Sequence, residues 1–165
     1  MAWFRRRRDA EPEPEQDQQD EVAPGESPAE LAARLGELVR TINARSGQLT
    51  AAGVVAARRL TDTLGEIIGT STVRPLDVYT LLTLRGALED YLPTTLQTYL
   101  SVAPDLRTAR RPSGGTPAAS FLEQLVALQS AASATLVAAR DQDADALMTQ
   151  GAFLRTKFSG SDLDL

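Results

Sequence analysis

Aliphatic residues recur every three or four positions through most of the chain after residue 27, and this spacing favours helices. In the first such segment the apolar positions are Leu31, Leu35, Leu38 and Ile42. Ser27-Pro28-Ala29-Glu30 precedes them and has the pattern of a capping box, with proline at the first helical position. The pattern predicts a helix that begins at residue 28 and ends near Ser46-Gly47.

Further helices are predicted over residues 50–68, 75–91 and 94–102, and from 117 towards the end of the chain. The last stretch forms either two helices that meet near residues 141–143 or one long bent helix. The residues predicted to face inward are, in chain order, Ala57, Leu60, Leu64 and Ile67; Val78, Leu81, Leu82, Arg85, Leu88 and Tyr91; Leu96, Tyr99 and Leu100; Phe121, Leu125, Leu128, Ala132, Leu136 and Ala139; and Leu147, Gly151, Leu154 and Phe158.

Proline and glycine interrupt this pattern at defined places. Pro93 cannot donate a hydrogen bond to the carbonyl of Glu89, so the third helix is expected to end or kink there. Gly53 and Gly65 weaken the second helix unless a neighbouring helix packs close to them. Residues 103–117 are predicted to form one long internal loop. A loop of this length in a compact domain usually has a functional role or is disordered. The expected fold is an all-α bundle of four to five helices over residues 28–165.

Residues 1–27 differ from this body in charge and composition. Four arginines and eight acidic residues give the segment a net charge of −4, against −5 for the whole chain. Glutamate alternates with proline at positions 11–15, and so little apolar surface cannot offset the entropy of ordering the chain. The segment is predicted to be a disordered, charged tail.

The chain has no cysteine and no histidine. It therefore lacks a thiolate nucleophile, the commonest general base and the commonest transition-metal ligand. No apolar run approaches the roughly 18–20 residues of a transmembrane helix, and the N-terminus lacks the apolar region of a signal peptide. These features predict a cytoplasmic protein that is not an enzyme and that binds no cofactor or metal.

Asp141-Gln142-Asp143-Ala144-Asp145 has the opening pattern of a calcium-binding loop. Such a loop needs glycine at its sixth position and glutamate at its twelfth, where this chain has Ala146 and Ala152. The favoured interpretation is a junction between two helices, with aspartates that cap the second helix. Arg110-Arg111-Pro112-Ser113, in the internal loop, resembles a basic-directed kinase site.

Arg85, Glu89 and Tyr91 stand beside the Pro93 break and form the candidate polar cluster of the helical body. If they converged in a pocket, they could serve a ligand-binding or hydrolytic site. The alternative is a solvated helix face with a tyrosine in the core, because adjacent carboxylates such as Glu89 and Asp90 point in different directions on a helix.

A second candidate site lies at the N-terminus. It consists of two aromatic residues followed by four arginines: Trp3, Phe4, Arg5, Arg6, Arg7 and Arg8. The aromatic rings can insert at a membrane interface while the arginines attract anionic headgroups, at about 1 kcal/mol per charge. The alternative is a tail that only aids solubility. Binding to nucleic acid is disfavoured, because the body is almost neutral and the acidic tract would compete with phosphate.

The strings Asp90-Tyr91-Leu92-Pro93-Thr94-Thr95-Leu96 and Phe121-Leu122-Glu123-Gln124-Leu125 resemble the helical part of the XpaC family. The resemblance covers about residues 77–157. It implies a helical protein associated with the cell envelope or with stress, and links it to hydrolysis of a bromo-chloro-indolyl phosphate and to toxic-anion resistance proteins of the TelA type. It carries over no catalytic residue. The chain also resembles small helical proteins of high-GC Gram-positive bacteria.

The function expected from these features is that of a non-enzymatic helical interaction or scaffold protein. Its partner would be another protein, whose identity the sequence does not give, or a second copy of the chain. Phosphate-ester hydrolysis or ligand binding is one alternative. The other is peripheral contact with the inner face of the membrane through residues 1–8. The interaction hypothesis predicts that some helix face exposes apolar side chains.

Overall fold

The computed structural model describes residues 27–112 and 114–159, with side chains described as far as Ala152. The described residues form five α-helices and contain no β-strand: α1 (Pro28–Arg45), α2 (Ala51–Thr70), α3 (Val78–Arg85), α4 (Leu92–Ser101) and α5 (Pro117–Ser159). A π-helical segment, Gly86–Tyr91, joins α3 directly to α4. The predicted all-α bundle is confirmed.

The helices form four rods, because α3, the π segment and α4 make one continuous helical run. Arg58 bonds to Asn43, and Gly65 lies against Leu35, so α1 and α2 are antiparallel neighbours. Gln129 bonds to Thr63, and Arg140 pairs with Glu66, so α2 and α5 run parallel. The third rod runs opposite to α5, and the order of directions is therefore up-down-up-down.

The core is mainly aliphatic and lies between α1, α2, α5 and the third rod. The inward faces predicted for α1, α2 and α5 up to Ala139 are buried or packed against the core: Leu31, Leu35, Leu38 and Ile42 in α1; Ala57, Leu60, Leu64 and Ile67 in α2; and Phe121, Leu125, Leu128, Ala132, Leu136 and Ala139 in α5. Each of these stripes follows the 3.6-residue period of a helix that buries one face.

Side-chain caps fix where the helices begin. Ser27 Oγ accepts from the Glu30 amide at 3.3 Å, and the Glu30 carboxylate accepts from the Ser27 amide at 3.2 Å, which confirms the capping box. The third rod begins at Val78 and not at Pro75, because Asp77 caps it and accepts from the Thr80 amide at 3.0 Å. This bond and a second one from the Thr80 hydroxyl hold the pKa of Asp77 below its ordinary value of 3.8.

The third rod departs most from the sequence prediction. Val78, Leu82 and Tyr91, which were expected to face inward, are exposed, and the buried positions include Thr80, Leu84, Leu88, Leu92 and Leu96. These positions are four residues apart. Because an ordinary α-helix has 3.6 residues per turn, side chains at this spacing move progressively around the helix instead of staying on one face. The wider turns of the π segment compensate for the drift.

The third rod continues through Pro93, where the sequence analysis expected the helix either to end or to kink. The run continues from Val78 to Ser101, and Pro93 lies in the first turn of α4. The amide of Leu92 donates to the carbonyl of Ala87, five residues earlier. The proline follows directly on this π segment, where the regular α-helical bonding pattern is already interrupted.

The C-terminal stretch is one continuous helix, which was one of the two predicted alternatives. The other alternative, a junction between two helices near Asp141 and Asp143, is wrong. Arg74, just after α2, donates to Gln142 at 2.9 Å and pairs with Asp143 at 3.2 Å. Beyond these contacts, residues 144–150 are all exposed. The helix therefore continues past the end of α2, and Leu147, which was predicted to face inward, is 71% exposed.

Candidate functional site

The predicted polar cluster is only partly assembled in the structure. Glu89 pairs with Arg34 of α1, and its Oε1 lies 3.7 Å from Nε of Arg85. Tyr91 does not join them. Its ring lies against Gly86, is 57% exposed and lines a different cavity. The three residues therefore do not converge, and Glu89 serves as a bridge between α1 and the π segment.

The groove beside Glu89 lies between α1 and α4 and has a volume of about 650 Å³. Its walls combine Leu38, Leu96 and Leu100 with Arg34 and Arg45. The Glu89 carboxylate is already matched with guanidinium groups. Ion pairs of this partly exposed kind contribute about 0–1 kcal/mol to stability. The groove therefore offers an apolar floor with a charged rim.

A smaller cavity, of about 320 Å³, lies on the other side of the third rod. Tyr79, Leu82 and Tyr91 line it, and all three are largely exposed. Leu64 of α2 and Leu128, Ala131 and Ala132 of α5 also line it. The sequence analysis did not single out Tyr79, and it placed Tyr91 on the core face or in a polar cluster with Arg85 and Glu89.

The largest of the three cavities is a groove between α2 and α5, with a volume of about 780 Å³. Val55 and Val126, on its two walls, are 67% and 54% exposed. Its other lining residues are mostly small or aliphatic: Ala51, Ala52, Ala56, Leu125, Ser130 and Ser133, with Arg59 and Gln129. We call this surface the α2/α5 groove.

Gln129 gives the α2/α5 groove its polar feature. Its amide nitrogen donates to Thr63 at 2.9 Å and to Ser133 at 3.0 Å. Its carbonyl oxygen is buried and has no hydrogen-bond partner in the part of the chain that the structure describes. A buried acceptor of this kind is costly unless a donor reaches it.

Gly53 explains how α2 approaches α5 beside this groove. A Cβ atom at position 53 would lie 2.7 Å from the ring of Phe121, which stacks on Tyr99 with ring centroids 4.3 Å apart. A neighbouring helix thus packs close to Gly53, which is the exception that the sequence analysis allowed for a glycine in α2.

Arg107 orders the internal loop, and the sequence analysis did not single it out. It is 8% exposed, and its guanidinium donates to the carbonyl oxygens of Val102, Gln48 and Leu100 at 2.8, 2.8 and 2.9 Å. The same group lies 5.2 Å from the centre of the Tyr99 ring. The loop predicted for 103–117 is therefore tied to the ends of two helices.

The aspartates at 141, 143 and 145 lie within α5, and Asp143 pairs with Arg74. Within residues 27–112 and 114–152, no group of three or more His, Cys, Asp or Glu side chains could hold a metal ion. Ser113 of the kinase-like tetrapeptide lies outside the described residues. The same holds for Trp3, Phe4 and the arginines at 5–8.

Pro117–Ala152, the part of α5 with described side chains, is long and apolar enough to cross a membrane, by length and composition only. The sequence analysis considered only uninterrupted apolar runs and did not identify this stretch. Of the most apolar 18-residue window, 28% is buried inside the bundle. The finding is compatible with membrane association and equally with a core helix.

No protein-family model, curated protein or solved structure matches this chain.

Proposed function

We propose that this chain is a non-enzymatic interaction protein that docks an apolar helix of a partner protein in the α2/α5 groove. The observation that supports the proposal is the exposure of Val55 and Val126 on the two walls of the α2/α5 groove. Exposed apolar surface that is gathered in one groove is typical of a contact site.

The shape of the groove favours a helix as its occupant. Its two walls are parallel helices, and its lining residues are spaced three and four apart on each wall: 51, 52, 55 and 56 on α2 and 125, 126, 129 and 130 on α5. A partner helix with apolar residues at the same spacing would fit between them.

Val126→Asp tests the proposal, because it places a charge in the groove at an exposed position of α5. Val137→Asp is the matched control, since Val137 lies on the same helix, is 57% exposed and does not line the groove. Full-length protein carrying either change would be used to capture partners from the source cells, with quantitative mass spectrometry as the readout. Circular dichroism would establish that both variants are folded.

The expected result is a protein captured by the native chain and by Val137→Asp, and lost with Val126→Asp. Equal capture by both variants would show that the α2/α5 groove is not the docking site. The absence of any reproducible partner would contradict the interaction function itself.

A second candidate function is reversible contact of a cytoplasmic protein with the inner membrane face. It is supported by the aromatic and basic sequence of residues 1–8 and by the apolar composition of α5. Co-sedimentation with anionic and with zwitterionic vesicles tests it, comparing the full chain with one that lacks residues 1–8. Binding that is unchanged by the deletion would rule out this segment as the anchor.

Phosphate-ester hydrolysis, the alternative implied by the XpaC resemblance, gains no support from the described geometry. It requires convergent polar groups, and Tyr91 lies apart from Arg85 and Glu89.

A further inference from the structure

We propose that the segment of α5 from residue 141 to 159, which we call the α5 extension, pairs with the same segment of a second copy in antiparallel orientation. This interface is separate from the α2/α5 groove and does not depend on the docking function proposed for it.

The first observation is that the α5 extension leaves apolar side chains without cover. Arg74 contacts α5 at Gln142 and Asp143, and residues 144–150 beyond these contacts are all exposed. Leu147 and Met148 are each 71% exposed. At 1.5 Å per residue the 19 residues of the segment span about 28 Å. Helices in proteins gain most of their stability from packing of an apolar face, so a packed partner would stabilise this uncovered segment.

The second observation is a heptad pattern in the sequence of the segment. Taking Leu147 as a d position places Ala144 and Gly151 at a positions, and the sequence continues with Leu154 at d and Phe158 at a. Five successive a and d positions thus carry apolar residues or glycine. This is the pattern of a short coiled-coil seam, and Gly151 permits close approach near its middle.

The third observation is the order of charges along the segment, which selects a second copy as the partner. Asp141 and Asp143 occupy e and g positions in the first half, and Arg155 and Lys157 occupy e and g positions in the second half. In an antiparallel pair each a position faces a d position of the other copy, so that position 147 lies opposite 151 and position 144 opposite 154. In this alignment the e position 141 lies beside 155 of the other copy, and the g position 143 lies beside 157. Each acidic position then faces a basic one, with Asp143 placed between position 157 of the other copy and Arg74 of its own. A parallel pair would bring the acidic halves together instead, which is unfavourable.

Sedimentation equilibrium of the full-length chain tests the proposal. We expect a concentration-dependent dimer. Leu147→Asp should raise its dissociation constant by at least about a hundredfold, because each dimer buries two copies of this leucine. Thr149→Asp is the matched control, since Thr149 is exposed and occupies an f position away from the seam. A chain that is monomeric at all concentrations would overturn the proposal, and so would equal effects of the two substitutions.

A charge exchange tests the orientation. Asp141→Arg and Arg155→Asp should each weaken the dimer by about tenfold, because each places like charges together in two symmetric pairs. The double variant restores opposite charges at both pairs and should dimerise as the native chain does. Failure of this rescue would overturn the antiparallel arrangement.

Cysteine crosslinking gives an independent measure of orientation, because the native chain has no cysteine. In the proposed register the two copies of position 148 lie close to the symmetry axis, whereas those of position 144 are about 15 Å apart along the helices. Met148→Cys should therefore crosslink efficiently with a short thiol reagent, and Ala144→Cys should not. Efficient crosslinking at 144 would show a parallel pair and contradict the proposal.

Discussion

Arg107 holds together three parts of the bundle, and its loss should destabilise the fold more than the loss of any other loop side chain described. Its guanidinium bonds to carbonyl oxygens at the end of α4 and at Gln48, between α1 and α2. Its own carbonyl accepts from the amide of Ala118 at 2.9 Å, in the first turn of α5. The residue therefore connects α4, the α1–α2 turn and α5.

The size of the effect follows from these contacts. A hydrogen bond from a charged donor contributes about 1.5–3 kcal/mol, and the contributions of bonds that act as a unit do not simply add. Water can solvate part of what is lost, because Gln48 lies at the surface. We therefore expect Arg107→Ala to lower the free energy of unfolding by about 3 kcal/mol, which corresponds to a fall in Tm of about 10 °C.

Urea denaturation followed by circular dichroism measures this change. Arg110→Ala is the matched control, since Arg110 is an exposed arginine of the same loop, and we expect a change within about 0.5 kcal/mol. Arg107→Lys keeps the charge but not the planar fork of donors, so it should recover less than half of the loss. If Arg107→Ala and Arg110→Ala changed the free energy of unfolding equally, or if Arg107→Lys restored full stability, the role assigned to the three hydrogen bonds of the Arg107 guanidinium would be refuted.

Two further predictions concern α2 and α3. Gly53→Ala should destabilise the protein by about 1 kcal/mol, because crowding against the buried ring of Phe121 outweighs the gain in helix propensity. Gly69→Ala lies in the same helix with no atom near its Cβ, and it should stabilise the protein by about 0.5 kcal/mol in the same urea titration. Equal effects of the two substitutions would contradict the packing argument. Asp77→Ala should cost about 1 kcal/mol at pH 7 through loss of the cap, whereas Asp77→Asn keeps an acceptor. Folding lowers the pKa of Asp77, so its ionisation stabilises the fold at pH values above the ordinary pKa of 3.8, and this stability is lost as the pH falls through the lower pKa of the folded state. The stability of the native chain relative to Asp77→Asn should therefore decline only below about pH 4. A difference in stability that does not depend on pH would contradict this.

The sequence was most informative where one face of a regular helix is buried. In α1, α2 and the first part of α5, the aliphatic positions follow a 3.6-residue period and the buried residues follow the same positions. The third rod could not be read in this way. Its buried face includes Thr80, which is not apolar, and the π segment shifts the face between Leu84 and Leu92. Val78 and Leu82 are apolar and have helical spacing, so the sequence analysis assigned them to the buried face although they are exposed.

The candidate sites were harder to predict because they depend on contacts between distant residues. Arg107 lies among prolines and glycines, and nothing near it in the sequence reveals that Gln48, 59 residues away, supplies an acceptor. The α2/α5 groove arises from the parallel packing of two helices whose exposed valines look like ordinary surface positions. Glu89 was identified, but its partner Arg34 belongs to another helix.

The two proposed interfaces lie on the same helix, and their separation makes their independence testable. Positions 126 and 147 are 21 residues apart, or about 32 Å along the axis of α5. Substitutions so far apart, with no shared partner, are expected to act additively. Val126→Asp should therefore leave the dimer dissociation constant unchanged within about twofold, and Leu147→Asp should leave partner capture unchanged. If Leu147→Asp also abolished capture, dimerisation would be a condition for docking, and the groove of a single copy would not be the complete partner site.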